Sequence, residues 1–455
     1  MASVSKLVFL LLCTYHTLVA YAGDYKVLPV GSPESAAINC TAPRAVTPSS
    51  GGLTVPLHHR HGPCSPLPST KAPTWEEMLR RDQLRAAYIG RKFSVVEGGA
   101  GDVEQLDAAK VPTTPDASSV EYVITVGIGS PTVPQTMVMD TGSDVSWVQC
   151  KPCSQCHSQS DPLFDPSSSS TYSPFSCTSA ACQQLRMDRL QTGCSGSKCQ
   201  YSLGYGDKST TTGTYSSDAL ALGSNAVDNF HFGCSQSSSG NFVREQTAGL
   251  MGLGGGAESL VSQTAGTFGK AFSYCLPTRS TAGSSGFLTL GAATSGFAIT
   301  PMFKKNGVPT FYFVRLEAIR VGGKQLSIPS SVFSTGSVMD SGTSITQLPS
   351  TAYSALSSAF KSGMKQYRSV RSGTGGTCFD FSGQSTIRIP TVALVFSGGV
   401  VLDLPAEAII QGNCLAFTSW RDDMPISIIG NVQQQTFEVL YDVGSGAFGF
   451  KTGAC

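Results

Sequence analysis

The sequence predicts an all-β protein built from two related lobes with a few short helices. Beyond Val111, short runs of alternating apolar and polar residues are separated by glycine-containing turns, and the chain holds 49 glycines. This pattern is typical of strand-dense barrels or sandwiches. The sequence also nearly repeats itself, with VMDTGSD at 138–144 and VMDSGTS at 338–344. The repeated Asp140 and Asp340 stand 200 positions apart, which predicts that each half of one fold brings a carboxylate to a shared site.

The beginning of the 455-residue chain has the layout of a secretory signal peptide. Lys6 precedes an apolar run at 7–12, and the small residues Ala20 and Ala22 follow. We predict a signal peptide over 1–22, because the apolar run is too short to span a membrane. No later stretch offers eighteen consecutive apolar residues. We therefore expect a secreted protein of the apoplast, with the vacuole as the alternative, and no membrane association.

Residues 23–110 differ in character from the rest and are predicted to form a removable pro-segment. They contain a histidine-rich run with His58, His59 and His61, followed by a helix pattern over 74–90. In that pattern Thr74 is the expected N-cap and Gly90 the expected end. A polar run over 97–110 then indicates a linker or cleavage region, so the boundary near 110 is approximate. A small N-terminal domain is the alternative interpretation.

Later patterns predict the elements of two lobes, which we place at 111–300 and 301–455. Residues 121–129 alternate as a strand, and residues 311–328 read as two strands about the Gly322-Gly323 turn. Residues 350–367 carry the clearest helix pattern of the second half.

Composition excludes several classes of function. Charged residues make up 13% of the chain and the formal net charge is +1, which argues against a nucleic-acid partner. Of the 15 cysteines, twelve lie from Cys150 onward, an even number that predicts up to six disulfides in an oxidising compartment. Even pairing argues against zinc and against haem at the CSQCH run of 153–157. A glycine-rich run at 252–263 lacks the acidic residue that a dinucleotide site needs, so we expect no dinucleotide cofactor. Together with the even number of cysteines, this predicts a protein with no metal and no cofactor.

Each aspartate loop is followed by a second repeated feature, an apolar pair and a glycine, at 250–252 and at 428–430. With these motifs the chain resembles the pepsin-like aspartic proteases from about residue 121 to its end. The resemblance implies the bilobal pepsin-like fold with two pseudo-symmetric lobes. It also implies an aspartic-type endopeptidase, made as a zymogen and active at acid pH, in which Asp140 and Asp340 share one proton and activate a water.

The resemblance assigns roles to the residues around the two aspartates. Small, hydroxyl-bearing or backbone-donating residues would support the carboxylates, and the glycine-rich hairpin at 201–215 would form the flap. Tyr205 corresponds to the flap tyrosine, with nearby Tyr201 as its rival, and Trp147 corresponds to the tryptophan that supports it. The supporting residues are Thr141, Gly142, Ser143, Ser341, Gly342 and Thr343.

The cysteine-rich stretch from 150 to 199 resembles the plant nepenthesin-type branch of the family. For this branch the resemblance implies one particular pairing, which the sequence alone does not derive. The implied pairs are Cys150–Cys153, Cys156–Cys234, Cys177–Cys199, Cys182–Cys194, Cys275–Cys455 and Cys378–Cys414.

The same resemblance implies a monomer that acts on protein or peptide substrates and is inhibited by pepstatin. Its main rival is a binding protein, because some plant relatives keep this fold, lose the two aspartates and inhibit glycan hydrolases. Both aspartate loops are complete in this chain, so we expect an enzyme.

Overall fold

A computed structural model gives the structure of most of the chain. It describes residues 24–30, 44–45, 52–68, 73–97, 122–188, 190–240, 246–278, 284–373, 375–420 and 426–453. The predicted signal peptide, the predicted boundary near 110 and Cys455 lie outside these residues. Strands outnumber helices throughout, and the all-β prediction is confirmed.

The N-terminal segment, defined as the described residues from Asp24 to Glu97, contains three strands and one long helix. They are β1 (Tyr25–Pro29), β2 (Arg44–Ala45), β3 (Leu53–His59) and α1 (Trp75–Glu97). The first lobe follows. Its elements are β4 (Tyr122–Ile128), β5 (Val133–Asp140), β6 (Trp147–Gln149), β7 (Ser173–Pro174), α2 (Ala180–Met187), β8 (Gln191–Ser195), β9 (Lys198–Gly204), β10 (Thr210–Leu222), β11 (Asn225–Ser239), β12 (Gly249–Gly252), α3 (Leu260–Gln263), α4 (Ala265–Phe268), β13 (Ala271–Cys275) and β14 (Ser284–Leu290).

The second lobe is also mainly strands. Its elements are β15 (Ala298–Phe303), β16 (Phe313–Val314), β17 (Leu316–Val321), β18 (Lys324–Gln325), β19 (Ser337–Met339), β20 (Thr346–Leu348), α5 (Ser350–Gly363), β21 (Arg368–Arg371), β22 (Thr377–Asp380), β23 (Thr386–Pro390), β24 (Val392–Phe396), β25 (Val400–Asp403), α6 (Ala406–Ile409), β26 (Ile410–Gln411), β27 (Cys414–Leu415), β28 (Phe417–Ser419), β29 (Ser427–Ile429), β30 (Phe437–Asp442) and β31 (Ala447–Thr452). Short 3₁₀ turns lie at Pro166–Ser168, Ser330–Phe333, Ser397–Gly399 and Asn431–Gln434.

A six-stranded antiparallel sheet joins the two lobes, in the order β3, β14, β13, β30, β31, β15. Its edge strand β3 comes from the N-terminal segment and also pairs with β4, where His59 faces Tyr122. The sheet's central side chains, among them Tyr274 and Tyr441, are fully buried. The N-terminal segment is thus part of the structural framework rather than an appendage.

Most predicted elements are confirmed, with one instructive difference. The strand expected at 121–129 is β4, and the helix expected at 350–367 is α5, which ends at Gly363. Helix α1 starts as predicted, because Thr74 and Glu77 cap it reciprocally: Thr74 N donates to Glu77 Oε2 at 2.6 Å, and Glu77 N donates to Thr74 Oγ1 at 3.3 Å. The predicted end at Gly90 is wrong, since α1 continues to Glu97.

Tertiary packing explains why the helix passes through Gly90. Ile89 and Phe93, on either side of the glycine, are buried in a cluster with Phe311 and Phe313. The Phe93 and Phe313 rings meet edge to face at 5.4 Å between centroids. A glycine inside a helix costs about 1 kcal/mol relative to alanine, which one buried aromatic contact can offset.

The disulfides correct most of the pairing that the family resemblance implied. Parallel strands β6 and β11 place Val148 opposite Cys234, and Cys150, two residues after Val148, reaches Cys234 at 5.4 Å between Cα atoms. Cys153 then pairs with its near neighbour Cys156. The pair Cys378–Cys414 is as expected.

In the cysteine-rich insertion the observed bridges are Cys177–Cys194 and Cys182–Cys199. The implied pairs, Cys177–Cys199 and Cys182–Cys194, were therefore wrong. Cys194 and Cys199 face each other across the β8–β9 hairpin, so either could approach the turn and helix that carry Cys177 and Cys182. Which partner each takes depends on how α2 lies against the hairpin, and sequence spacing does not encode that. Cys64 and Cys275 are also disulfide-bonded, and the implied partner of Cys275 lies outside the described residues.

Candidate functional site

Each repeated aspartate is held at the end of a strand by a second, parallel strand. Asp140 ends β5 and faces Gly252 of β12, and its carbonyl accepts a hydrogen bond from Leu253 N at 2.8 Å. In the other lobe Asp340 follows β19, whose Met339 faces Ile429 of β29, and Asp340 N donates to Ile429 O at 3.1 Å. The apolar-pair-and-glycine motifs are therefore the partner strands of the two aspartate loops.

Two hydrogen bonds to the first carboxylate come from within its own loop. Asp140 is fully buried, and its Oδ1 accepts from Gly142 N at 3.0 Å and its Oδ2 from Ser143 Oγ at 2.6 Å. Donors of this kind favour the ionised form of a carboxyl group.

The second loop repeats the arrangement. Asp340 is also fully buried, and it accepts from Gly342 N at 3.2 Å and from Thr343 Oγ1 at 2.5 Å. Gly342 is needed for close approach of the lobes, because a Cβ there would lie 2.6 Å from Asp140 Oδ1.

Thr141 and Ser341 brace the two loops against each other across the lobe boundary. Thr141 N donates to Ser341 Oγ at 3.1 Å, and Ser341 N donates to Thr141 Oγ1 at 2.9 Å. All four atoms are buried, so each hydrogen bond satisfies a group that would otherwise lack a partner. This reciprocal pair fixes the distance between the two carboxylates.

The aromatic pair singled out from the sequence also comes together. Trp147 Nε1 donates to Tyr205 Oη at 2.8 Å, while Tyr205 lies in the turn between β9 and β10. The rival Tyr201 points its hydroxyl to Thr211 instead, at 3.2 Å. Burial raises the pKa of the Tyr205 hydroxyl well above its ordinary value, so it stays neutral and acts as a hydrogen-bonding group.

Arg85 of helix α1 occupies the space between the two aspartates. Its Nη2 lies 2.6 Å from Oδ1 of Asp140 and 2.6 Å from Oδ1 of Asp340. Its Nε donates to Oδ2 of Asp340, also at 2.6 Å. One guanidinium nitrogen therefore touches both carboxylates.

Arg85 and Asp340 shift each other's pKa. Burial opposes ionisation of Asp340, but the charge and hydrogen bonds of Arg85 outweigh it, and the pKa of Asp340 is lowered. Burial likewise disfavours the Arg85 cation, yet the attraction of the two aspartates raises its pKa well above the ordinary value. In this structure the site is thus held as a carboxylate–guanidinium cluster.

Two neighbours of Arg85 attach α1 to the second aspartate loop. The fully buried Asp82 accepts from Ser344 N at 3.1 Å and from Ile345 N at 2.7 Å. Arg81, also buried, donates to the Ser344 hydroxyl. Helix α1 therefore satisfies backbone donors of the second loop.

The flap region rests on the same helix. A Cβ at Gly206 would lie 2.8 Å from Tyr88 Cβ and 3.0 Å from Arg85 Cα, so only glycine allows this approach. The apolar side of α1 contributes Ala86, Ile89 and Phe93 to a buried cluster with residues of the second lobe. The helix fills the cleft between flap and aspartates.

Sequence reasoning identified α1 but missed Arg85, Asp82 and Arg81 as site residues. The available signal was their spacing in LRRDQLRAAY, which puts Arg81, Asp82 and Arg85 on neighbouring positions of one helix face. Charges on one face are more often solvent-exposed, so the pattern alone did not distinguish a buried anchor from a surface helix.

The described residues offer neither a metal-binding cluster nor a membrane-spanning helix. Within those ranges no group of three or more histidine, cysteine, aspartate or glutamate side chains is arranged to hold a metal ion. The helices among them are all too short or too polar to cross a membrane.

Two family models match the chain. The model for the xylanase inhibitor N-terminal domain matches residues 122–292, and that for the xylanase inhibitor C-terminal domain matches residues 311–452. An aspartyl protease family protein of Arabidopsis thaliana is 41% identical and covers 93% of this chain and 91% of its own length. Aspartic proteinase nepenthesin-2 of Nepenthes gracilis is 36% identical and covers 90% of this chain and 95% of its own. The chain belongs to the pepsin-like plant aspartyl protease family, in its nepenthesin-type branch.

Solved structures of low identity share the fold. Basic 7S globulin from soybean matches with a TM-score of 0.57 at 21% identity, over 72% of this chain and 90% of its own. Conglutin gamma from lupine seeds matches with a TM-score of 0.57 at 21% identity, over 74% of this chain and 92% of its own. These likenesses concern architecture alone.

Proposed function

We propose that this protein is a secreted aspartic endopeptidase, made as a zymogen, that hydrolyses peptide bonds at acid pH. The observation that carries the proposal is the pair of buried, equivalently hydrogen-bonded carboxylates that a single arginine nitrogen touches together. Two carboxylates so close cannot both ionise easily once the arginine has left, so they would share a proton.

A shared proton supplies both halves of the chemistry. The ionised aspartate takes a proton from a water bound between the pair, and the oxygen of that water attacks the peptide carbonyl carbon. The protonated aspartate donates its hydrogen bond and then its proton to the carbonyl oxygen. When the tetrahedral intermediate collapses, one of its hydroxyls returns a proton to the ionised aspartate, the C–N bond breaks, and the leaving nitrogen takes the proton held by the other aspartate, so that the pair again shares one proton. The backbone donors Gly142 and Gly342 and the hydroxyls of Ser143 and Thr343 hold the carboxylates in place throughout.

In this proposal residues 23 to about 110 are the pro-segment, and Arg85 is its blocking group. The guanidinium fills the place of the attacking water and of the carbonyl, and α1 fills the cleft above. The pKa of Asp340 is lowered in the blocked state by Arg85. Blocking is therefore strongest above the ordinary carboxyl pKa and is lost as the pH falls through the lowered value. Acid would release the helix and start processing, which we expect between about Ser94 and Ser119.

The main alternative comes from the descriptions of the matching family models, which name xylanase inhibitors. A binding protein has no need for two complete aspartate loops, and both loops are complete here. We further propose that the enzyme is a pepstatin-sensitive monomer without cofactor that acts on proteins or peptides. Secretion to the apoplast, or delivery to the vacuole, agrees with the disulfide-rich lobes.

The test is direct. The purified full-length protein would be brought to a series of pH values from neutral to acid and incubated with a peptide library, with and without pepstatin. We expect cleavage in acid only, suppressed by pepstatin, together with shortening of the chain before Tyr122. The same preparations would be assayed for inhibition of a xylanase. Xylanase inhibition without peptide cleavage at any pH would overturn the proposal in favour of the binding protein.

A further inference from the structure

The first described strand, β1, is paired with the second lobe rather than with the rest of the N-terminal segment. It runs antiparallel to β23 in five register pairs, from Tyr25 opposite Pro390 to Pro29 opposite Thr386. Hydrogen bonds continue at both ends, because Val30 N donates to Ser385 O at 2.9 Å and Thr391 N donates to Asp24 O at 2.9 Å. Among the described strands, β23 has no partner other than β1.

The side chains of β1 use both faces of this ladder. Successive residues of a strand point to opposite faces. On one face the Tyr25 ring lies under the Arg388 guanidinium, 4.2 Å from ring centroid to Cζ. On the other face Leu28 packs against the main hydrophobic core, opposite the buried Ile387. Val27, by contrast, is 68% exposed.

This contact depends on different forces from the attachment of α1. Helix α1 is held by Arg85 and Asp82, whose hydrogen bonds need ionised carboxylates. Strand β1 is held by backbone hydrogen bonds, a cation–π contact and one apolar side chain. The titratable or charged groups around it come from the strand itself, from β23 and from the neighbouring α5, its following turn and α6. They are Asp24, Lys26, Tyr367, Arg388, Lys361 and Glu407, in addition to Tyr25, whose ring lies under Arg388.

In the described part of the chain, none of these six side chains forms an ion pair with another. Tyr367 instead accepts a hydrogen bond from Arg388 N at 2.8 Å. Acid therefore weakens the charged contacts of α1, leaving only its apolar ones, and leaves the contacts that hold β1 unchanged. The two attachments should separate at different pH values.

We propose that the edge of the second lobe at 385–391 is a peptide-binding surface that retains residues 24–30 after the chain has been cut. Its partner is an extended peptide with an aromatic residue for Arg388 and, three positions later, a leucine for the core. The active enzyme would then carry its own N-terminal fragment as a second, noncovalently bound chain. This inference rests on the proposed function only in assuming that the segment is cut between α1 and β4.

The experiment separates the two ideas by cutting the chain from outside. Residues 104–109 would be replaced by a site for a specific protease in the Asp140→Asn chain, which cannot process itself and keeps the contacts of Arg85 with Asp340 and of Asp82 with the second loop. After cutting, backbone amide exchange would be measured at neutral and acid pH, with times scaled to the intrinsic exchange rates. We expect amides of 76–97 to lose protection in acid while amides of 386–390 keep theirs. The fragment should elute with the lobes in gel filtration at both pH values.

Three substitutions in the cut chain complete the test. Leu28→Ser and Arg388→Ala should each speed exchange at 386–390, roughly tenfold for Leu28→Ser, the size expected from removing one apolar side chain from a packed contact. Protection of 76–97 at neutral pH should not change. Val27→Thr, at the exposed position of the same strand, is the matched control and should have no effect.

Simultaneous loss of protection at 76–97 and 386–390 would overturn the proposal, as would unchanged exchange in Leu28→Ser. Failure of the unmodified chain to process or cleave in acid would instead count against the proposed function, because the cut in this experiment comes from an added protease.

Discussion

The two aspartate loops have nearly the same sequence and the same hydrogen bonds up to the third residue after the aspartate, and they differ at the fourth residue after it. In the first loop that residue is Asp144, whose carboxylate accepts from Gly256 N at 2.8 Å and from Thr310 Oγ1 at 2.6 Å. In the second loop it is Ser344, whose N–H and hydroxyl are bound by Asp82 and Arg81 of α1.

The difference shows that the first loop is complete within the two lobes, whereas the second borrows partners from the N-terminal segment. When α1 leaves, the amides of Ser344 and Ile345 lose their carboxylate. Unpaired buried donors are costly, so water or substrate should take the place of Asp82. We therefore expect the second loop to change most on activation.

The largest loss of peptide cleavage should come from replacing the aspartate that each of the two loops contains. Asp140→Asn and Asp340→Asn should each abolish peptide cleavage, a loss of at least roughly 10²–10⁴-fold, because neither carboxylate alone can both accept and donate the proton. Cleavage of a peptide substrate in acid would be measured, with circular dichroism to check folding. Asp188→Asn, outside the site, is the control. Clear residual activity in either variant would refute the equivalence of the two loops.

Arg85 is the link between the loops and should give the next largest effect. In Arg85→Ala the carboxylates lose the charge that lowers the pKa of Asp340, so the closed form weakens at a higher pH than in the unmodified protein. Processing followed by mass spectrometry across a pH series should therefore begin nearer neutrality. Arg91→Ala, at an exposed position of the same helix, should leave the onset unchanged. An unaltered onset in Arg85→Ala would mean that the ion pairs do not control release.

Asp82→Asn and Asp144→Asn compare the interactions at the fourth position after each aspartate. Asp82 is the partner of Ser344 in the second loop, and Asp144 is itself the residue at that position in the first. Asp82→Asn should weaken docking of α1 by about 1–3 kcal/mol, the effect expected when buried donors lose a charged partner, and should leave the activity of the processed enzyme intact. Asp144→Asn should instead reduce that activity and leave α1 docked. Amide exchange of 76–97 and peptide cleavage after complete processing report the two effects. Equal effects of the two variants on both readouts would contradict the asymmetry.

The smallest change in the pH at which processing begins should come from the histidines at the end of β3 and just beyond it. Burial lowers the pKa of His58 below its ordinary value of 6.5, so the docked strand favours the neutral ring. Docking is therefore intact above that value and weakens as the pH falls below it, when the released ring takes up a proton. Replacing His58, His59 and His61 by Gln removes this contribution and should lower the pH at which processing begins. The same pH series checks it, and an unchanged onset would leave the carboxylates as the sole trigger.

Secondary structure set by neighbouring residues and motifs that are repeated could both be predicted from the sequence alone. The strand at 122–128 and the N-cap at Thr74 need only neighbouring residues, and the two aspartate loops and the two apolar-pair-and-glycine motifs are recognised by their repetition. The family resemblance that the repeat carries also indicated which groups would surround each carboxylate.

Ion-pair, disulfide and strand partners from distant parts of the chain could be identified only from the tertiary structure. Arg85 meets Asp340 across 255 positions, and nothing in the spacing of its helix says which surface that helix will bind. Helix α1 runs past Gly90 because Phe93 is buried in the second lobe, and Cys150 bonds Cys234 because β6 lies parallel to β11. Strand β1 likewise takes its partner from β23. Each of these outcomes depends on burial and proximity in the folded chain, whose energies outweigh the local preferences that a sequence pattern expresses.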